Sequence, residues 1–475
     1  MHFPATSESC LAEEIMRRTL KAVTILAILT IAIWSLGTRA QGDPVFTFTD
    51  TPLLLPIGTS EPEIAFHDGF MAIVSLSWLT IDGTQLWTGE FGSTPDLQGP
   101  IDNALHKAGY QLVVGGGDAS IDFGTTGTLH ATTIVIPIQK VPLPPGFHPK
   151  VSVSAVRCIN AMSSDFSPSD DCTARIIDFS GNDRPWITSD GAHVYICYHD
   201  AVDAALIRIQ RSDDDGLTWN RVGNAFTGSG TTTAGSTFNN ISGPIAVDPV
   251  NHNVYQIFAA GETGILKAKT AAWNKVFVSH STDGGMHWTP VLVAAGPTLS
   301  TSENIFPSLA VDPSTGDVYA VWANNAGGTR VYFSCSADAG ATWSAPTVVN
   351  AAPAGTALLP WVAANNGIVD VTYYGTSGSV DPNTTTTAVW NVYLAQTTDN
   401  GASFVQSLVS NSPNHVGPIC TFGGACAPGT RNLLDLFQVG IDPLNGKAAV
   451  VYVDDTLTQD SSGNPLPQTV LAQQQ

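Results

Sequence analysis

Apolar and polar residues alternate along most of this chain in short runs split by turn residues, the pattern of half-buried β-strands rather than of helices. Four phrases show it most clearly: RPWITSDGAHVYICYH, GPIAVDPVNHNVYQIF, FPSLAVDPSTGDVYAVW and LPWVAANNGIVDVTYY, beginning at Arg184, Gly243, Phe306 and Leu359. Each places two runs rich in β-branched and aromatic residues around a turn of Asp, Asn, Pro or Gly, which predicts a β-hairpin.

A second phrase recurs downstream of each hairpin. SDDDGLTW (212–219), STDGGMHW (281–288), SADAGATW (336–343) and TTDNGASF (397–404) share Ser or Thr, an Asp two residues on, a Gly two after that and a final aromatic. Their starts lie 69, 55 and 61 residues apart, a spacing that points to one repeated supersecondary unit. The gap before the phrase holds a third strand, as in RVYFSC ahead of Ser336, and a fourth follows, as in APTVVN after Trp343. Each unit is therefore predicted to be a four-stranded antiparallel meander, and a ring of such units is an all-β fold, the β-propeller. Weaker copies of the hairpin at 62–78, 118–136 and 436–455 bring the count to seven blades, with first hairpins starting near Pro62, Ala119, Pro185, Pro244, Pro307, Pro360 and Phe437. The last blade has no room for a full fourth strand. FTFTD, residues 46–50, is expected to supply it and close the ring, which hides a sheet edge.

In the recurring phrase the Asp can accept hydrogen bonds from backbone amides of its own turn, and the Gly takes positive φ without steric cost. The aromatic folds onto the sheet, a burial of roughly 1.5–3 kcal/mol each. Four equivalent copies suit a structural brace; a catalytic centre is needed only once. The first copy alone carries surplus aspartates, Asp213 and Asp215, so a D-x-D-x-D-G calcium loop is a poor match.

The phrase resembles the Asp-box, or BNR repeat, of the sialidase (neuraminidase) superfamily, and the resemblance runs from about Glu61 to the C-terminus. It implies a propeller whose activity would be that of an exo-glycosidase of the exo-α-sialidase type on extracellular glycans. Such sialidases grip a substrate carboxylate with three arginines, whose forked guanidinium groups bind it bidentately. They pair a Tyr nucleophile with a Glu and use an Asp as acid/base, an exception to the two-carboxylate scheme. This chain departs from that pattern. The first-blade stretch TSEPEIAFHDG has no arginine, the family domain has six blades, and Tyr373 and Tyr374 fall inside a strand pattern rather than at a nucleophile position. By their places ahead of inner or third strands, Arg184, Arg330 and Arg431 are the candidate substrate-binding residues. Asp183, Glu303 and Asp435 are the candidate catalytic acid/base groups. Solvated turn charges or inter-blade ion pairs are the competing explanation for these residues. The alternative to an enzyme is a non-catalytic propeller that binds an extracellular glycan or protein, with Trp186, Trp322 and Trp361 either stacking on the ligand or packing blades.

Composition narrows the partners. The 475 residues are 43% hydrophobic and 12% charged, with a net charge of −21. That balance excludes disorder and argues against nucleic acid, whose phosphates need Lys and Arg. Arg17, Arg18 and Lys21 precede an apolar run at 22–36 and a small-residue site at Thr38-Arg39-Ala40. This reads as a signal peptide within residues 1–40, with Met16 as the true start. Residues 41–475 then form a single secreted domain, a monomer with no membrane contact after cleavage. Cys158 with Cys172 and Cys420 with Cys426 are close enough to staple loops, whereas Cys197 and Cys335 read as buried free thiols. No cofactor or metal site is specified by any spacing. The Asp excess is compatible with a structural calcium on the axis, without locating one.

Overall fold

A computed structural model describes residues 46–77, 80–81, 83–139, 151–180, 182–200, 206–227, 240–261, 273–298, 300–302 and 306–475. The proposed leader lies outside the described residues, and among these no helix is long and apolar enough to cross a membrane. The strands assemble into seven antiparallel sheets of four strands, the sixth with one short extra strand, His415–Val416. The innermost strands of blades 1 to 7 are Ser60–His67, Tyr110–Phe123, Asn182–Asp190, Asn240–Val247, Ser308–Val311, Thr356–Asn365 and Gln438–Ile441. Each contacts the next, and the seventh contacts the first, so the sheets form a closed propeller.

Burial explains the sequence pattern. Strands near the axis are covered on both faces: Val254–Ala260 and Val318–Asn324 are buried along their whole length, whereas the outer strand Thr289–Ala295 is mostly exposed or half-buried. The core is divided among blade interfaces. Val153 and Ala155 of blade 2 pack on Ile187, Val194 and Ile196 of blade 3, while Val321 and Phe333 of blade 5 pack on Val362, Val369 and Val371 of blade 6. The N-terminal strand Phe48–Leu53 runs antiparallel along Pro465–Gln474, with Phe48 opposite Gln474 and Leu53 opposite Thr469. It is the outer strand of blade 7, two residues further along than FTFTD suggests.

The recurring phrase is the turn between the third and fourth strands. In its first copy Ser212 Oγ donates to Asp214 Oδ1 at 2.9 Å and accepts from Gly216 N at 2.8 Å. Asp214 also receives Thr218 N at 2.7 Å, and Trp219 Nε1 donates to Gly216 O at 3.0 Å. The Ser281, Ser336 and Thr397 copies repeat the hydroxyl–Asp–Gly bonds at 2.7–3.0 Å. The residue before the glycine is left-handed in every copy: Asp215 (φ 58°), Gly284 (φ 70°), Ala339 (φ 59°) and Asn400 (φ 55°).

That left-handed residue faces the preceding blade, and there the surplus Asp215 finds its role. Arg157, the penultimate residue of blade 2's third strand, donates Nε to the Asp215 carbonyl at 2.7 Å and forks onto its carboxylate at 3.0 and 2.6 Å. His130 Nε2 reaches the same carboxylate at 3.1 Å. Arg211, at the matching position of blade 3, donates to Gly284 O at 2.8 Å, and Cys335 Sγ of blade 5 lies 3.6 Å from Asn400 O. The boxes of blades 3, 4 and 6 thus bolt each of these blades to its predecessor. Asp213 is held by Arg211 and His193 at 2.8 Å each.

Blade 2 has no box. Cys158 ends its third strand, the place of the box Ser or Thr, and is disulfide-bonded to Cys172, its register partner at the start of the fourth strand. Cys420–Cys426 is the second disulfide, and Cys197 and Cys335 are buried thiols outside both. Strand alternation puts the boxes and the turns of the inner hairpins on one face, the box face. The starts of the inner strands lie on the opposite face, around the mouth of the axis.

Candidate functional site

At the mouth, the inner strands open with backbone irregularities that turn side chains toward the axis. Register shifts interrupt blade 1 between Ser60 and Glu63, blade 2 between Gly117 and Ala119, blade 3 between Asp183 and Trp186, and blade 6 between Leu358 and Trp361. Within them Glu61 (φ 49°), Asp118 (φ 20°), Arg184 (φ 53°) and Leu359 (φ 53°) have left-handed backbones. A non-glycine residue there costs of order 1–3 kcal/mol, and such bulges re-aim side chains at functional sites. Glu61, Arg184 and Leu359 each precede a proline, which makes the conformation costlier still.

These residues meet in one charged cluster. Arg184 Nη2 lies 3.1 Å from Asp435 Oδ2 and its Nε 3.9 Å from Asp183 Oδ2. Arg431 forks onto the same Asp435, with Nε 3.0 Å from Oδ1 and Nη2 bonded to Oδ2. Glu61 Oε1 accepts the Asp435 amide at 3.0 Å, and Asp118 Oδ2 accepts the Arg184 amide at 3.1 Å. Asp183 lies beside Asp118, close enough for its charge to raise Asp118. Arg431 and Asp435 arrive on the long segment leading into blade 7, which is pinned by Cys420–Cys426 and by Trp390 Nε1 donating to Gly417 O at 2.8 Å.

Below the charges lies an aromatic septum. The Arg184 guanidinium sits 4.9 Å from the Phe306 ring centre, within cation–π range. Phe306 packs edge-on against Trp186 at 5.1 Å, and Trp186 lies 5.4 Å from Trp361.

Burial and neighbouring charge set the protonation of the cluster. Burial, then the Asp183 charge, pushes Asp118 up to about 7. Glu61 is held well above the usual carboxylate range by burial and by the charges of Asp118 and Asp435. Burial opposes the Arg184 charge, but Asp435, Asp183, Asp118 and Glu61 outweigh it and raise Arg184 further. The Asp183 side chain, 47% exposed, is the part of the cluster most open to solvent. Asp118, held near 7 beside the exposed Asp183, is able to give or take a proton near neutrality.

Of the residues expected from sequence, Arg184, Arg431, Asp183 and Asp435 come together here. Arg330 does not join them: it begins blade 5's third strand, opposite Asn324, two strands out from the axis. Glu303 lies outside the described residues. Glu61 and Asp118 were missed, although Glu61 stands before Pro62 as Arg184 stands before Pro185. Tyr373 and Tyr374 are buried in blade 6, with Tyr374 Oη accepting the Val453 amide at 3.1 Å. Trp322 stacks on Tyr332 within the sheet of blade 5. Among the described residues no three His, Cys, Asp or Glu side chains are grouped to hold a metal ion.

Residues 193–369, spanning three of the four boxes, match the BNR repeat-like domain. No curated protein matches the chain. Among solved structures, a polysaccharide lyase, an ulvan lyase bound to -[GlcA(1-4)Rha3S]-, is similar over 89% of this chain and 95% of its own, at 10% identity and a TM-score of 0.52. A protein of unknown function from Dyadobacter fermentans is similar over 76% and 94%, at 13% identity and a TM-score of 0.49. An α-L-arabinofuranosidase from Fusarium graminearum is similar over 74% and 92%, at 15% identity and a TM-score of 0.43. At these identities the likeness is one of fold. By its sheets and repeats the chain is a seven-bladed β-propeller, of which residues 193–369 match the BNR repeat-like domain.

Proposed function

We propose that this is a secreted glycoside hydrolase that cleaves extracellular glycans at the axial mouth, with Asp118 as its acid/base and Asp183 beside it. The observation that carries the reading is the place of Asp118: a carboxyl in the blade 2 bulge that accepts the Arg184 amide at 3.1 Å, keeps its proton to about pH 7 and stands beside the exposed Asp183 on the open rim. Cleaving a glycosidic bond requires a proton for the leaving oxygen and a base for the attacking water. Asp118 gives its proton to the leaving oxygen and, once the leaving group has departed, takes one back from the water that attacks from the same side, which restores it; Asp183 beside it keeps Asp118 protonated toward neutrality. Arg184 and Arg431 fix Asp118, Asp183 and Asp435 in place. The ulvan lyase of similar fold also acts on a polysaccharide.

A sialoside is the less favoured substrate of this class. Both arginines already face Asp435, so a ligand carboxylate would compete with a carboxylate held at hydrogen-bonding distance. A neutral glycan meets no such competition. The remaining alternative, a binder without turnover, would use the same mouth.

The test is reducing-sugar release from neutral polysaccharides, uronate polysaccharides and a fluorogenic sialoside, by wild type and by Asp118→Asn. Release from a neutral substrate that falls by about 10²-fold or more in the variant supports the reading. Binding without release across the panel would leave the protein a lectin-like propeller, and release unaffected by the variant would move the chemistry elsewhere.

A further inference from the structure

At the other end of the axis, beneath the septum of Trp186, Phe306 and Trp361, the inner strands enclose a cavity of about 410 Å³. It reaches the box face at the turn prolines Pro249, Pro313 and Pro443. Its volume falls in the range of roughly 300–1,000 Å³ typical of small-molecule sites.

The lining is two-sided. Blades 7, 1, 2 and 3 contribute a polar arc of Gln438, Glu63, Ser120, Asp122 and Ser189. Blades 4, 5 and 6 contribute an apolar wall that includes Ile245, Leu309, Val311, Trp361 and Ala363. The arc is organised by its own bonds: Asp122 Oδ2 accepts the amide and hydroxyl of Ser189 at 2.7 and 2.8 Å, and Glu63 Oε2 accepts the Ile121 amide at 3.2 Å. Yet Glu63 Oε1 has no partner, in a side chain of which only 1% is exposed. An unpaired buried carboxyl oxygen costs of order 1–3 kcal/mol. It is tolerated most readily where a ligand supplies the missing partner.

We propose that this cavity is a second binding site, distinct from the mouth, for a neutral sugar ring or a cyclic polyol of similar size. Ring hydroxyls pair with Glu63, Asp122 and Ser189 along the arc, and the C–H face of the ring packs on Trp361 and the aliphatic wall. An anionic ligand would be repelled by the Asp122 carboxylate, which is charged at pH 7, whereas Glu63 is neutral there. A compact metal cation would find only two carboxyl groups, where hard cations take six or more oxygens. The site stands whether or not the mouth is catalytic.

The experiment is saturation-transfer NMR followed by calorimetry with D-galactose, L-arabinose and L-rhamnose as probes. Ala363→Phe fills the cavity from its apolar side, Ser189→Ala removes a hydroxyl from its arc, and Asp183→Asn alters only the mouth. Binding of at least one probe, weakened about tenfold or more by Ala363→Phe or Ser189→Ala and unchanged in Asp183→Asn, is the expected result. Failure of all three probes to bind overturns the proposal. So does binding that is lost in Asp183→Asn but kept in the two cavity variants, which would place the sugar at the mouth. Should Ala363→Phe not fold, Ser189→Ala carries the comparison alone.

Discussion

Replacing Asp215 with Asn tests whether the boxes bolt the ring. The substitution removes one negative charge and keeps a side chain that tolerates the left-handed backbone of this position. The charge receives a forked pair from Arg157 and a bond from His130, with Asp215 and Arg157 side chains 24% and 21% exposed and His130 wholly buried. Burial pushes His130 down to about 4, so at pH 7 it is neutral and donates its Nε2 proton. Exposed pairs are worth about 0.2–1 kcal/mol, and breaking a fully buried one costs about 3–5 kcal/mol. This intermediate pair, with the Arg157 bond to the Asp215 carbonyl retained, places the loss near 2 kcal/mol. Asp215→Ala adds the left-handed penalty of about 1–2 kcal/mol. Urea denaturation at pH 7 of wild type, Asp215→Asn, Arg157→Met and the double variant gives both the loss and the coupling, expected near 1–2 kcal/mol. A loss for Asp215→Asn under about 0.5 kcal/mol, with no coupling, would refute the bolt and return Asp215 to the surface charges.

Stability should fall as pH rises from about 5 to 8. Burial is the first cause raising Glu63 to about 8, Asp118 and Asp370 to about 7 and Asp122 to about 6. The folded chain therefore favours their neutral forms, a contribution fully present below the unfolded value of about 4 and lost as pH passes through about 6–8. Thermal melts across that range check the sign, and a rising curve would contradict it. Deleting residues 46–53 strips the outer strand from Pro465–Gln474 and exposes its edge; light scattering should show aggregation at temperatures where the full chain stays clear. Converting Cys158 and Cys172 together to Ser opens a link of sequence separation 14 and should lower stability by about 2–3 kcal/mol in denaturant titrations.

The architecture was legible because its determinants are local and repeated. A hydroxyl–Asp–Gly–aromatic turn closes its own hydrogen bonds within eight residues, so four copies announce four blades, and period-two apolar runs supply the other strands. The ring closure by Phe48–Leu53 was legible from a shortage of chain after Val453. The site was legible only in part. Arg184, Asp183, Arg431 and Asp435 could be placed by their positions ahead of inner strands. Asp118 and Glu61 could not, because their inward aim depends on a bulge and a left-handed backbone that no residue type announces at those positions. The pre-proline position was the available signal, shared by Glu61, Arg184, Gly243, Phe306 and Leu359. Arg330 was drawn in by its strand-opening place, yet a third strand opens about 10 Å farther from the axis than an inner one. The bolts through Asp215 join residues 58 and 85 positions apart, a separation at which turn chemistry carries no information.

The most direct test of the acid–base mouth is the pH–rate profile of glycan cleavage by wild type and Asp118→Asn, measured side by side. With Asp118 as the proton donor, the wild-type rate declines as pH rises through about 7, and the variant loses about 10²-fold or more at every pH. An Asp118→Asn protein that cleaves at the wild-type rate, or a wild-type profile with no decline near 7, would contradict the assignment.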